Sequence, residues 1–67
     1  MQTLRGTVTV FDEARGLGTV TSVTGTTWPF HCVSLVDGSR TVDVGADVSF
    51  VVEFRVLRLE AVSIEKL

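Results

Sequence analysis

The residues best equipped for chemistry sit side by side. His31 and Cys32 are the one imidazole and the one thiol of the sequence, and a cysteine becomes a strong nucleophile when an imidazole reaches its sulfur. Read as strand over Thr27 to Cys32, the segment sends adjacent side chains to opposite faces, which separates the two groups and predicts a buried, inert thiol. One histidine and one cysteine are too few donors for a metal site, and neither a metal nor any other cofactor is expected. No carboxylate pair stands in an acid–base motif and no phosphate loop of the Walker type occurs, so the chain does not read as an enzyme. A second chemistry lies in "RGLGTV", residues 15 to 20, where a basic residue precedes two glycines that alternate with larger side chains. Arg15 can pair with an anion, while Gly16 and Gly18 either admit a close ligand or serve the curvature of a strand.

Short strands must position these groups. Val, Thr and Phe recur in alternation with glycines between the runs, which predicts strands at Leu4 to Phe11, Leu17 to Val23, Thr27 to Cys32, Asp47 to Phe54 and Leu59 to Glu65. The connections are Asp12 to Gly16, Thr24 to Thr26, Val36 to Gly45 and Arg55 to Arg58, the last without glycine or proline. Val62 and Ile64 alternate at period two, so the C-terminal segment reads as strand rather than helix. Five strands in 67 residues cannot cover a flat sheet on both faces. The expected architecture is all-β, a small five-stranded antiparallel barrel forming a single domain over 1–67.

Parity then divides the surface. If the second and third strands form a hairpin with an odd-length loop around Gly25, residues of equal parity share a face. The even face, Gly18, Val20, Ser22, Trp28, Phe30 and Cys32, reads as core. The odd face, Leu17, Thr19, Thr21, Val23, Thr27, Pro29 and His31, mixes small apolar and polar groups suited to partial exposure. Pro29 lacks a ladder donor, which places its strand at an edge or a gap in the barrel.

Composition limits what this surface can attract. Hydrophobic residues make up 45% and charged residues 21%, as in globular chains, and the net charge of -2 gives no global pull on polyanions. Arg5, Arg15, Arg40, Arg55 and Arg58 are scattered, and their default reading is a solvated, acid-balanced surface. Only Arg15 has a motif behind it. A single cysteine excludes an internal disulfide and suits a reducing compartment. No apolar run could cross a bilayer, and Met1 is followed by polar Gln2 and Thr3 rather than by an export leader. The expected location is cytoplasmic, without membrane contact.

"GTVTVFDEARGLGTV", then "WPFHCVSL" and "RTVDVGADVSF", resemble the bacterial cold-shock domain over nearly the whole chain. The resemblance implies an OB-type barrel that binds single-stranded RNA or DNA by stacking bases on strand aromatics. Phe11, Arg15, Gly16, Gly18 and His31 keep the family pattern. Thr7 and Thr9 stand where the family has lysines, Val10 where it has tryptophan, and Leu17 and Thr19 where it has two phenylalanines. Pro29 and Cys32 replace further aromatics, and Ser39 and Arg40 lie near the place of another. Trp28 and Phe30 occupy positions that usually hold small core aliphatics, so aromatic volume has moved inward.

The resemblance therefore implies a binding site made of Phe11, Arg15, Leu17, Thr19, Pro29, His31 and Arg40. Stacking contributes ~1 to 3 kcal/mol per base, so the missing rings remove on the order of 5 kcal/mol or more. Weak binding of low sequence specificity is the expectation. The alternative is a protein-interaction or self-associating barrel, since aliphatic strand surface without compensating charge tends to associate.

Overall fold

The computed structural model describes residues 3–55 and 58–67. Its strands are β1 (Leu4–Asp12), β2 (Leu17–Ser22), β3 (Thr27–His31), β4 (Asp47–Arg55) and β5 (Arg58–Lys66), with one 3-10 turn at Cys32–Ser34 after β3. The alternating runs thus form the strands expected of them. Val56 and Leu57, inside the expected Arg55 to Arg58 link, lie outside the described residues, as do Met1 and Gln2 of the expected leader-free start. No helix among the described residues is long and apolar enough to cross a membrane.

All neighbouring strands are antiparallel, in the order β3-β2-β1-β4-β5. Thr21 pairs with Thr27 and Val20 with Trp28 across the β2–β3 hairpin, which confirms the equal-parity register. Gly25 takes φ 93° at this turn and donates its N–H to the Ser22 carbonyl at 2.9 Å. A left-handed backbone is cheap only for a residue without Cβ. β3 is an outermost strand, so the N–H that Pro29 lacks removes no bond from a central ladder.

Alternation buries one face. Val8, Val20, Phe30, Val48, Phe50, Ala61 and Ile64 are almost entirely withdrawn from solvent, with Leu35 and Val42 joining from the β3–β4 connection. Trp28 is half-buried and meets Phe50 edge-on, ring centroids 5.6 Å apart. The sheet curls without closing completely. Among the described residues β3 and β5 lie at opposite ends of the hydrogen-bonded order, and a single parallel bridge, Leu35 to Ile64, ties the chain beyond β3 to β5.

Two irregularities interrupt the alternation. In β1, Val8 pairs with Val20 but Val10 pairs with Thr19, so Thr9 is an extra residue and the faces exchange beyond it. In β5, Val62 pairs with Val51 and Glu65 with Ser49, and Ser63 within this bulge adopts φ 52°.

Candidate nucleic-acid interface

The outward rows of β1, β2 and β3 follow from the ladders. Asp12, Leu17 and His31 form one row, Val10, Thr19 and Pro29 the next, and Thr7, Thr21 and Thr27 a third. Leu17 is 39% exposed and Val10 56%. Thr19 and Pro29 are half-buried and His31 is exposed. The structure thus brings together Leu17, Thr19, Pro29 and His31, as parity expects.

Phe11 does not join them. The bulge at Thr9 turns it inward, opposite Gly18, where its ring stacks on Phe30 at 6.0 Å between centroids and 8° between planes. It packs against the core as a half-buried group, and Val10 takes the outward position. Strict alternation along β1 could not show this, because the signal is an unpaired residue in the ladder. The cold-shock resemblance, which puts an aromatic at the place of Val10, carries the one signal for it.

Gly18 serves this inward packing rather than a ligand. A Cβ placed there would lie 2.6 Å from two atoms of the Phe30 ring and 2.7 Å from the Val10 carbonyl oxygen. Larger Phe30 volume and a missing side chain at residue 18 therefore belong together. Gly16, at φ 68°, closes the β1–β2 turn by donating its N–H to the Asp12 carbonyl at 2.8 Å.

Arg15 projects from that turn at the rim of the face. Its backbone N–H donates to Asp12 Oδ1 at 3.3 Å, which orders the turn and leaves the guanidinium exposed. Arg55, Arg58 and Lys66 are ion-paired with Glu53, Glu60 and Asp37. Among the described residues, Arg5, Arg15 and Arg40 have no carboxylate within ion-pair distance. Asp12, in the row of Leu17 and His31, places an acid on the same face and lowers its attraction for anions.

Arg40 stands apart from these strands. It occupies the β3–β4 connection with φ 61°, inside a polar tether that reaches β5. Lys66 Nζ lies 3.0 Å from Asp37 Oδ2 and donates to Ser39 Oγ at 2.8 Å. The Ser39 N–H donates to Asp37 Oδ1 at 3.0 Å, and Ser39 Oγ donates to the Thr41 carbonyl at 2.9 Å. The Ser39 backbone N–H and the Lys66 ammonium hold the Asp37 carboxyl down at about 2.

Cys32 also departs from expectation. β3 ends at His31, so strand alternation does not separate the pair, and Cys32 Sγ lies 3.8 Å from His31 Nδ1. That nitrogen also accepts the Val33 N–H at 3.3 Å, capping the 3-10 turn. The thiol is half-buried against Gly16, where an added Cβ would come within 2.7 Å of the sulfur.

No protein-family profile matches the chain. No curated protein matches it. Among solved structures it is similar to Drosophila Unr CSD456, with 30% identity and a TM-score of 0.80 over 98% of this chain and 27% of that one. The chain thus spans about a quarter of that protein's solved length. The likeness is to an insect protein and does not single out the bacterial branch of cold-shock domains. Five antiparallel strands in OB order, together with this similarity over nearly the full chain, show an all-β OB-type fold similar to that of a cold-shock domain.

Proposed function

We propose that the outer face of β1, β2 and β3 binds single-stranded RNA or DNA weakly and with low sequence specificity, in a cytoplasmic setting. One observation carries the reading: Leu17, Thr19, Pro29 and His31 share a solvent-facing surface with Arg15 at its rim. Leucine and proline offer flat apolar area, the imidazole can stack, and the guanidinium can pair with phosphate. Val10 takes the outward position that Phe11 leaves. Arg40 contributes from the flank, through the tethered loop. With no ring at Val10, Leu17, Thr19 or Pro29, stacking worth ~1 to 3 kcal/mol per base is missing at each, so affinity falls well below that of an aromatic platform.

Fluorescence anisotropy with mixed-sequence oligonucleotides at low salt tests this directly. Binding in the micromolar range is expected. Arg15→Ala should weaken it across sequences and lower the salt slope by about 0.7, the value for one phosphate contact on a single strand. Absence of binding into the high micromolar range would overturn the proposal. The exposed Val10 and Leu17 favour a second reading, a surface for a protein or another copy of the chain. Light scattering across concentration separates the two, because self-association makes the mass rise.

A further inference from the structure

Arg5 lies at the far end of the same face, in the stretch of β1 before the bulge. Gly6 and Val8 turn inward there and are buried, so Arg5 and Thr7 turn outward. Thr7 pairs with Thr21, and the Val23 N–H at the end of β2 donates to the Arg5 carbonyl at 3.2 Å. We infer that Arg5 is a second phosphate contact, so that a bound single strand runs along β2 from Arg15 at one end to Arg5 at the other. The inference rests on the proposed nucleic-acid reading of this face.

The face is chemically graded between the two arginines. The Arg15 end presents the apolar surfaces of Leu17, Pro29 and Val10 beside His31, where bases can lie. Toward Arg5 the surface becomes hydroxylic, through Thr7, Thr9, Thr21 and Thr27, until Val23, 85% exposed, stands beside Arg5 itself. Thr9 Oγ1 lies 3.1 Å from Thr21 Oγ1, and the Thr9 hydroxyl donates to the Thr19 carbonyl at 3.3 Å. Hydroxyls can bond phosphate and sugar oxygens but add no charge, so along β2 the Coulomb attraction is confined to the two ends. Six residue steps separate Leu17 from Val23; at ~3.3 Å per step they span about 20 Å. That length fits a footprint of about four nucleotides, the short end of the range for OB-type modules.

Two carboxylates face this end. Asp47 of β4 pairs with Thr7, and Glu65 of β5 pairs with Ser49, the β4 partner of Arg5. Neither comes within ion-pair distance of Arg5. Both oppose an incoming phosphate, so removing the nearer charge with Asp47→Asn should strengthen binding.

Anisotropy with oligothymidylates of increasing length, from the dinucleotide upward, tests the path. Arg5→Ala should leave the dinucleotide unchanged and weaken longer strands. The loss should reach about fivefold at roughly 20 mM salt relative to roughly 200 mM, with the slope lower by about 0.7. Arg5→Lys should restore the slope, which separates a charge contact from a folding defect. Arg58→Ala removes an equal charge from the β4–β5 hairpin and should change nothing. If Arg5→Ala matches Arg58→Ala on the longest strand while Arg15→Ala weakens binding, the path is wrong and the interface stands. An equal loss on the dinucleotide also overturns it. Failure of the unaltered chain to bind any length overturns the interface itself.

Discussion

Replacing Gly18 with alanine puts one methyl group between two packed strands, and the surroundings set its cost. The new Cβ would stand 2.6 Å from Cε1 and Cζ of Phe30 and 2.7 Å from the Val10 carbonyl oxygen. Phe30 is 2% exposed and stacked on Phe11, so its ring has nowhere to retreat, and the carbonyl belongs to the neighbouring strand. Overpacking of this kind costs ~1 to 3 kcal/mol. Restricting the unfolded chain returns about 0.4 to 1 kcal/mol. The net is a destabilisation of roughly 1 to 2 kcal/mol, which for a domain of this size lowers Tm by roughly 4 to 8 °C per kcal/mol. Phe30→Leu removes the two ring atoms nearest the new methyl while leaving the carbonyl contact. A double-mutant cycle by urea denaturation should therefore show positive coupling, with Gly18→Ala costing about 1 kcal/mol less in the Phe30→Leu background. A Gly18→Ala variant more stable than the parent, or one whose cost ignores residue 30, would refute the claim that the missing side chain makes room for the ring.

Two further outcomes follow from local geometry. Asp37 is held at about 2 against an ordinary 3.8, so folding favours its ionised form. Its contribution is complete above pH 3.8 and is lost as pH falls through about 2. Asp37→Asn should have a lower Tm than the parent at neutral pH, and the gap should close on acidification toward pH 2 and narrow in high salt; a gap independent of pH would contradict the tether. Gly16→Ala should cost ~1 to 3 kcal/mol, because φ 68° is strained for alanine and the Cys32 sulfur blocks the methyl. Denaturation of Gly16→Ala with Cys32→Ala should recover only part of that loss, since the backbone strain stays.

The strands were legible because alternation and turn glycines are local signals. Val20 and Phe30 inside, with Leu17 and His31 outside, follow from parity once the β2–β3 loop is odd. The inward turn of Phe11 was not legible. It depends on Thr9 being skipped by the ladder, a property of pairing between strands rather than of β1 alone. Val42 shows the same limit from another direction: it lies in a connection yet is 8% exposed, because the long β3–β4 segment folds back over the core. The Cys32–His31 contact turns on one residue of strand length. Pattern places a strand well and its last residue poorly, and here that residue decides whether two reactive groups part or meet.

The unfinished seam between β3 and β5 gives the cylinder a weakest line. Elsewhere around the curve, separating two strands means breaking a ladder of backbone bonds as well as pulling side chains apart. Along the seam, side-chain cohesion and the Leu35–Ile64 bridge do most of the holding. Opening motions that admit water to Phe30 and Ile64 are therefore expected to begin there, at the β3 margin, so that Pro29 and His31 loosen before Leu17 and Thr19 on β2.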